Sequence, residues 1–523
     1  MANDDFKNTN DLNRSGNSIE LPPTQTSSAL DSMPSGNLVE PKVLSSSPNL
    51  ALAGTPLPRE GNPFLVANSV SAPAEQLRSP GAWSWRAPDP SLAEPRDGRW
   101  VENPDGLSEV GDLGELGYFV AAAVRGRGHK QDAVFCDDSF DFLEVAGWRV
   151  VIVSDGAGCA PFSRVGSALA CKNARASLER DLVPADLSTH FLDEANLGII
   201  QQTPELDPFL ARACDAMAQA FIAAHQSIQA WVAQQNESVH QESATRLWID
   251  SQYRGTEKEH ARLDPERKSV PLRVLEKDCH CTLLIVAYST VILNKSDGTQ
   301  REMGLSLSSA VGDGMTVVFR RTDVPNNVLP LMSPDVGEFS GQTQFIDALT
   351  TSAESFKARR RLLFLGAHSD VIAVAAMTDG VADDYYGGKK GMERLYCDLI
   401  LNGVLPSRPS LDVLDQIEEC NVIKSGAVFE IIMEQEEEGM SPRTQPVKYA
   451  DRYMASLGLS EGALLSNSSI LHRIVTAEPE IKPKNLTPEA EAERLRIWLD
   501  AYTVQGSFDD RTLVMFRNRG AVT

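Results

Sequence analysis

The sequence predicts an α+β fold in which many short strands combine with a few long helices. Short apolar runs that end at Gly or Asp, such as YFVAAAVRG, AVFCDD and WRVVIVSDGAG, predict the strands. Apolar residues at helical spacing in RVGSALACKNARASLERDL and DPFLARACDAMAQAFIAAHQSIQAWVAQQ predict two amphipathic helices. Several strands also stand directly beside acidic turns, which indicates where a functional site would form.

Length and charge narrow the class of protein. A chain of 523 residues with 42% apolar residues can form a large core with tails and insertions, or a few domains. The net charge of -23, from 72 acidic and 49 basic residues, repels phosphate backbones and anionic lipids. We therefore expect no nucleic-acid partner and no membrane partner. Acidic residues can instead hold hard cations such as Mg²⁺.

The chain carries no signal for a membrane or an oxidising compartment. No stretch approaches roughly 18 unbroken apolar residues, and MANDDFKNTNDLNRSGNS lacks a basic and then apolar leader. We therefore expect a cytoplasmic protein whose eight scattered cysteines are reduced. Cys279 and Cys281 flank His280 like half of a metal knuckle. No second pair has zinc spacing, and CHCTLLIVAYS predicts a strand.

Composition divides the chain into a tail and a domain. Residues 1–112 are rich in Ser, Pro, Asn and Gly, which predicts a disordered tail. Its tryptophans at 83, 85 and 100 could bind a partner or pack on the chain's own domain. Residues 113–520 form the predicted domain, with insertions at about 235–275 and 385–500. The second insertion contains the acidic run EQEEEG, which we interpret as a solvated loop.

Four aspartates stand at predicted strand ends. Asp132 precedes the run AVF, Asp155 follows VVIVS and is followed by Gly156, Asp379 follows IAVAAMT, and Asp509 precedes TLVMF. A strand end aims a short carboxylate at a fixed point. Spacing alone does not show that these acids converge, because one Asp-Gly step is usually only a turn.

Carboxylates brought together from separate strands repel one another unless a cation lies between them. Ligation by Asp, backbone carbonyl and water oxygens selects Mg²⁺ or Mn²⁺ over zinc or copper. Two such ions roughly 3.5–4 Å apart can activate water and neutralise a phosphoryl group. The acids therefore make a two-metal site a reasonable hypothesis.

Five sequence motifs strengthen this hypothesis by their order: HKQDAVF, VSDGAGCAPFSRVGS, AVGDG, MTDGVADD and FDDRTLVMF. Between about residues 117 and 518 the chain resembles the type 2C, or PPM-type, family of metal-dependent protein serine/threonine phosphatases. The wording of GEFSGQTQF and DDRTL resembles its bacterial branch. The resemblance implies a four-layer αββα sandwich, with two antiparallel sheets flanked by helices and the metals at one end.

The resemblance also implies a metal-binding set, with Mn²⁺ or Mg²⁺ as the cofactor. Asp132 would bind the first metal, directly or through water. Asp155 would bridge two metals, and the Gly156 carbonyl would add a ligand. Asp379 and Asp509 would complete the second site.

Three further positions are implied by the resemblance or lie close to its motifs. Asp313 in AVGDG matches a position that binds a third metal in bacterial members, and it could equally be a turn residue. Arg127 holds the place of the family's phosphate-binding Arg, whose planar fork suits phosphate. Arg125 lies close enough to exchange roles with it.

The chain departs from the family at two positions. Ala157 stands where animal members have a His that is a candidate general acid, and His129 could serve instead because His titrates near neutral pH. His129 could equally brace its loop. Gln131 replaces the usual Glu beside the first metal-binding Asp, which removes a negative charge.

The function implied is hydrolysis of phosphoserine and phosphothreonine on proteins by metal-activated water, without a phosphoenzyme. The partners would be a phosphorylated protein substrate and a cognate Ser/Thr kinase system. One alternative is a catalytically weak, phosphatase-like module that binds or senses phosphoproteins, which Gln131 and Ala157 favour. Another is a plain scaffold whose Asp-Gly turns never meet.

Overall fold

The computed structural model describes the chain in segments. These segments comprise residues 105–184, 194–237, 273–294, 298–321, 326–332, 343–385, 389–401, 419–423, 444–448, 487–501 and 508–521, with isolated positions at 87, 88, 103, 245, 248, 249, 252, 404 and 405. All structural statements below concern these residues.

Thirteen strands are found in the described segments, and all their pairings are antiparallel. They are β1 (Gly106–Asp112), β2 (Tyr118–Val124), β3 (Ser139–Val145), β4 (Trp148–Ser154), β5 (Leu283–Asn294), β6 (Gln300–Val311), β7 (Met315–Arg320), β8 (Val328–Pro330), β9 (Arg361–Ala367), β10 (Val371–Met377), β11 (Glu419–Ile423), β12 (Thr444–Lys448) and β13 (Arg511–Arg517). A six-stranded sheet has the order β1-β2-β13-β10-β7-β8, and a five-stranded sheet has the order β3-β4-β5-β6-β9. Strands β11 and β12 pair separately.

Eight α-helices are found in the same segments. They are α1 (Arg127–Asp132), α2 (Ser163–Asp181), α3 (Glu194–Gln202), α4 (Pro208–Glu237), α5 (Ala353–Arg359), α6 (Asp379–Tyr385), α7 (Lys389–Leu401) and α8 (Pro488–Ala501). Helices α2 and α4 pack against each other, and α2 also contacts β3 and β4. Helix α8 packs on β1 and β2.

The alternation of side chains along each strand produces three apolar layers. On β4, Val150 and Ile152 face α2 and α4, whereas Val151 and Val153 face the other sheet. Phe516 on β13 lies in the same central layer as Val151. The outer layer of the six-stranded sheet packs with α6, α7 and α8. The predicted αββα sandwich is therefore confirmed.

Most predicted elements form where expected, and one does not. The long helices and the strands around VVIVS, IAVAAMT and TLVMF are all present. The predicted strand AVFCDD is wrong, because residues 134–138 have no regular structure and β3 begins only at Ser139. Phe135 and Cys136 are buried in the central layer as an irregular segment.

The predicted domain boundaries differ from the structure at two places. Strand β1 lies within the predicted tail of 1–112 and pairs with β2 along its full length, since its residues fit the edge of the sheet. Helices α7 and α8 lie within the predicted insertion 385–500 and cover the six-stranded sheet. The insertion at 235–275, the tryptophans at 83, 85 and 100 and the run EQEEEG lie largely or wholly outside the described residues.

The remaining sequence expectations concern cysteines and membranes. Cys279 and Cys281 are buried free thiols beside the start of β5. Within the described segments, no helix combines the length and apolarity needed to cross a membrane.

Two helical glycines give a test of this packing. A Cβ at Gly166 in α2 would lie 2.1 Å from the Cys279 carbonyl oxygen, whereas a Cβ at Gly198 in α3 would meet nothing within 4 Å. We expect Gly166→Ala to lower the free energy of unfolding by about 1–3 kcal/mol. Gly198→Ala should raise it by about 0.5–1 kcal/mol, because Ala favours helices. Urea unfolding of both variants measures the difference, and equal effects would contradict the close approach.

Candidate metal centre

Three carboxylates converge where the ends of the two sheets meet. Asp155 follows β4, Asp313 lies in the turn between β6 and β7, and Asp379 follows β10 as the first residue of α6. One carboxylate oxygen from each lies within 4.8 Å of the other two. The sequence named all three positions, and the structure brings them together. The Asp-Gly turns are therefore not independent turns of a plain scaffold.

Two further aspartates belong to this electrostatic group. The charges of Asp138 and Asp509 both act to raise the pKa of Asp155. They also act to raise the pKa of Asp379. Asp509 was predicted from the sequence, but Asp138 was not. We call Asp138, Asp155, Asp313, Asp379 and Asp509 together the acidic centre.

Asp138 is held by two threonines, one from the motif MTDG and one from the motif DDRT. Its Oδ2 accepts hydrogen bonds from the hydroxyls of Thr378 at 2.9 Å and Thr512 at 2.7 Å. Its Oδ1 is buried and has no hydrogen-bond donor among the described residues. Oδ1 of Asp379 is likewise buried, and it too has no hydrogen-bond donor among the described residues. Buried carboxylate oxygens without donors are atoms that a cation would satisfy.

Asp132 lies elsewhere. It is the last residue of α1 and is exposed to solvent, and Ala133 then adopts a left-handed conformation with φ of 59° that ends the helix. The residues that follow include the buried side chains of Phe135 and Cys136, and only after these does the chain reach the acidic centre. The structure therefore does not bring Asp132 into the group. We propose Asp138 for the role that the sequence assigned to Asp132.

A signal for Asp138 was present in the sequence. Asp137 and Asp138 follow the apolar run AVFC, as Asp155 follows VVIVS. When AVFC is predicted to be a strand, the two acids after it only mark the end of that strand. An irregular segment can bury apolar residues as well as a strand can, and periodicity does not distinguish the two over so few residues.

The carboxylates of the acidic centre repel one another. Burial, followed by repulsion from neighbouring carboxylates, raises the pKa of Asp155 and of Asp379 well above the usual range. The same two causes raise the pKa of Asp138 to about 8 and that of Asp509 to about 6. Donors that are all oxygen and an excess of negative charge fit Mg²⁺ or Mn²⁺.

Backbone contacts fix the turn that carries Asp155. Its N–H donates to the Thr282 hydroxyl at 2.9 Å, and the Thr282 N–H donates to its carbonyl at 2.8 Å. A Cβ on Gly156 would lie 2.7 Å from the Asp137 carbonyl oxygen, so only Gly permits this approach. Gly156 thus lies beside the acidic centre, and metal ligation by its carbonyl stays a prediction.

Asp313 is anchored from one side. Its Oδ2 accepts a short hydrogen bond from the Thr343 hydroxyl. Because its carboxylate also belongs to the converging trio, its position suits a metal ligand better than a plain turn residue. Binding of a third ion there stays a prediction.

Helix α1 lies beside the acidic centre and carries Arg127 and His129. His129 Nδ1 lies 2.9 Å from Asp510 Oδ2. Burial acts to lower the pKa of His129, but the charge of Asp510 and the hydrogen bond to it outweigh burial and raise the pKa to about 10. The expectation that this imidazole titrates near neutral pH is therefore wrong, because a carboxylate from a distant part of the chain lies against the ring and favours its protonated form.

The two arginines near α1 have different environments. Arg125 is fully buried, and its guanidinium donates to Asp105 at 2.6 Å and to the Val134 carbonyl at 3.0 Å. The alternative in which Arg125 binds phosphate is therefore wrong, because its guanidinium is buried and already donates to other groups of the protein. Arg127 is half-buried in the first turn of α1. Its role as the phosphate clamp stays a prediction.

Comparison with known proteins identifies a family. The family model described as protein phosphatase 2C matches residues 125–403, more than half of the 523 residues. No curated protein matches the chain.

Solved structures with similar folds include two bacterial-type proteins and one from a parasite. The serine/threonine phosphatase Stp1 from Staphylococcus aureus is 9% identical, with 78% of this chain and 98% of that chain covered and a TM-score of 0.26. RsbX in complex with magnesium is 8% identical, with 79% and 100% covered and a TM-score of 0.27. A phosphatase from Toxoplasma gondii is 10% identical, with 80% and 96% covered and a TM-score of 0.30. These scores are too low to carry an argument, so the family rests on the family model.

Substitution of Asp138 or of Asp132 by Asn distinguishes the roles of the two residues. We expect Asp138→Asn to weaken Mn²⁺ binding at least about tenfold, because it removes a buried ligand charge. Asp132→Asn should change Mn²⁺ affinity by less than about twofold, because the exposed carboxylate is screened by solvent. Titration calorimetry with MnCl₂ measures both affinities. The reverse ranking would restore Asp132 as the ligand.

The pKa shifts predict how stability depends on pH without metal. Raised folded-state pKa values mean that the folded protein binds more protons than the unfolded chain between about pH 4 and pH 8, given an unfolded Asp pKa near 3.9. The metal-free protein should therefore lose stability as pH rises through this window, and Mn²⁺ should restore it. Thermal unfolding with EDTA or with Mn²⁺ measures the effect.

The matched variant for this experiment is Asp155→Asn. It removes one of the repelling charges, so the metal-free variant should unfold at a higher temperature than the metal-free wild type near pH 8. Stabilisation by Mn²⁺ should shrink in the same variant. A metal-free protein whose stability rises from pH 4 to pH 8 would contradict the charge repulsion.

Proposed function

Because the chain belongs to the protein phosphatase 2C family, we propose that it hydrolyses phosphoserine and phosphothreonine in proteins in a reaction that needs Mn²⁺ or Mg²⁺. The observation that carries this proposal is the convergence of Asp155, Asp313 and Asp379 from three separate strand ends. Acids at one sheet end alone would not identify a reaction. Together with the family they support phosphoryl chemistry.

The acidic centre supplies the ligands for the proposed metal ions. Asp138, Asp155, Asp379 and Asp509 would hold two ions, with the Gly156 carbonyl as a further donor and Asp313 available to a third ion. When bound, the ions activate water for attack on phosphorus and neutralise charge on the phosphoryl oxygens. Hydrogen bonds fix parts of this centre: the Asp155 N–H donates to the Thr282 hydroxyl after β4, and the Thr512 N–H donates to the Thr378 hydroxyl where β10 and β13 meet.

The residues of α1 would act on the substrate. The guanidinium of Arg127 would bind the phosphoryl group through its planar fork. His129 Nδ1 is engaged by Asp510, so Nε2 is the ring nitrogen from which a proton can pass to the leaving Ser or Thr oxygen. The high pKa of His129 keeps the ring protonated, which is the form that a proton donor needs. The partners would be a phosphorylated protein substrate and a cognate kinase.

A phosphoprotein-binding module with little activity is the second candidate. The observation in its favour is Ala157, which cannot donate a proton and lies directly after Gly156. Retention of five acids in the acidic centre opposes it, because a module that only binds phosphate does not need several buried carboxylates that repel one another.

Turnover of an aryl phosphate in the presence of Mn²⁺ tests the proposal. We expect hydrolysis of p-nitrophenyl phosphate with Mn²⁺, its loss with EDTA, and a decrease of at least about a hundredfold in Asp155→Asn, since metal positioning contributes several kcal/mol. Peptides of one sequence carrying phosphoserine, phosphothreonine or phosphotyrosine then define the substrate class. We expect the first two to be preferred.

The same experiment decides between the two candidates. A folded protein that binds Mn²⁺ by calorimetry, binds the phosphopeptide and turns over neither substrate would overturn the enzyme and favour the binding module. Thermal unfolding of Asp155→Asn shows that its loss of activity is not a loss of fold.

A further inference from the structure

Helix α8, near the end of the chain, is fixed firmly on the six-stranded sheet. The Tyr118 hydroxyl donates to Glu491 Oε2 at 2.8 Å, and the Ser108 hydroxyl donates to Glu493 Oε2 at 3.3 Å. Arg517 on β13 forms a buried ion pair with Glu491 at 3.5 Å. Trp498 is fully buried in the layer between the helix and the sheet. The helix can therefore act as a rigid support for whatever its last turn contacts.

The last turn of α8 contacts α1 through a buried ion pair. Lys130 Nζ forms a short ion pair with Asp500 Oδ1, and the two side chains are only 3% and 13% exposed. Burial acts to raise the pKa of Asp500, but the charge of Lys130 outweighs it and the pKa is lowered. The Lys130 ammonium also lies at the negative end of the α8 dipole, which stabilises it there. We call this pair the α1–α8 ion pair.

Helix α1 is also held by the segment before β13. The Gly126 N–H donates to Asp510 Oδ1 at 2.6 Å, and the Gly128 N–H donates to the Phe508 carbonyl at 2.9 Å. His129 contacts Asp510 as described above. A Cβ on Gly126 would lie 2.3 Å from the Asp509 carbonyl carbon, so the two segments are in direct contact.

Helix α1 has only six residues, and the contacts with the segment before β13 and with α8 contribute to its position. Asp510 contacts the Gly126 N–H at the start of this helix and the His129 ring, and Asp500 pairs with Lys130 on the same helix. Arg127 and His129 therefore lie on a helix that contacts two separate segments, the last turn of α8 and the segment before β13. When one partner of a buried ion pair is removed, the other is left as a costly unpaired charge. Loss of Lys130 or Asp500 is therefore expected to disturb the position of α1.

We propose that the α1–α8 ion pair is a positioning device that places Arg127 and His129 for binding of the phosphoryl group. Lys130 and Asp500 do not touch substrate or metal in this proposal; they act through α1. The proposal rests on the proposed function, since it assumes that Arg127 and His129 face a phosphoryl group.

The test measures phosphate affinity rather than turnover. Calorimetry of the Mn²⁺-loaded full chain with inorganic phosphate should show at least about tenfold weaker binding in Asp500→Asn and in Lys130→Met, because small displacements of a clamp have large effects. Mn²⁺ affinity should stay within about twofold of the wild type, since these residues are not ligands. Arg175→Met is the matched control, because its pair with Asp141 lies on α2 and β3 and away from α1.

Two further readouts distinguish positioning from a general structural role. Hydrogen exchange of the peptide 126–133 should become faster in Asp500→Asn, while exchange of β4 and β10 should not change. In an Arg127→Ala/His129→Ala background, which removes both positioned side chains, Asp500→Asn should cause no further loss of phosphate affinity. Unchanged phosphate affinity and unchanged exchange in a folded Asp500→Asn protein would overturn the proposal.

The double variant Lys130→Met/Asp500→Leu covers the case in which the single variants do not fold. It replaces the pair with apolar side chains and leaves no buried charge, which commonly preserves stability. We expect it to fold and to bind phosphate at least about fivefold more weakly; wild-type affinity would show that the ion pair has no positioning role. If the wild type binds Mn²⁺ but no phosphate, the proposed function fails, whereas the exchange experiment still tests the coupling of α8 to α1.

Discussion

The acidic centre requires that buried carboxylates be held together against their mutual repulsion. The fold opposes this repulsion with fixed hydrogen-bond donors, and Asp138 shows how. The hydroxyls of Thr378 and Thr512 both donate to one of its oxygens and leave the other buried and without a donor. The protein thus stabilises one oxygen of Asp138 with donors and leaves the other as an atom that a cation could satisfy.

Strand register makes this arrangement possible. Strands β10 and β13 pair so that Met377 lies opposite Leu513, and beyond that point the Thr378 N–H donates to the Thr512 carbonyl at 3.1 Å. The Thr512 N–H donates to the Thr378 hydroxyl at 3.0 Å, so one hydroxyl serves both the backbone and Asp138. A shift of either strand by one residue would turn its threonine to the other face of the sheet and break the contact. The motifs MTDG and DDRT are therefore two halves of one contact.

The sequence predicted the parts of this architecture that follow from local pattern. Apolar runs ended by acids located β4, β10 and β13, and helical spacing located α2 and α4. Pattern failed where the chain is irregular: AVFC is buried without being a strand, and the sequence prediction names Asp132 and not Asp138. Contacts between distant segments were also beyond its reach. Nothing local to His129 shows that Asp510 will raise its pKa to about 10.

The placement of Asp138 also changes the meaning of Gln131. Gln131 counted as a departure because the family has an acid beside its first metal-binding Asp. If Asp138 takes that role, the neighbouring residue is Asp137, and the acidic pair is present. Asp137 Oδ2 accepts from the Ser163 hydroxyl at 2.9 Å, and its N–H donates to Asp510 at 2.5 Å. Asp137 thus ties the acidic centre to α2 and to the partner of His129. Of the two departures that favoured a binding module, only Ala157 keeps its force.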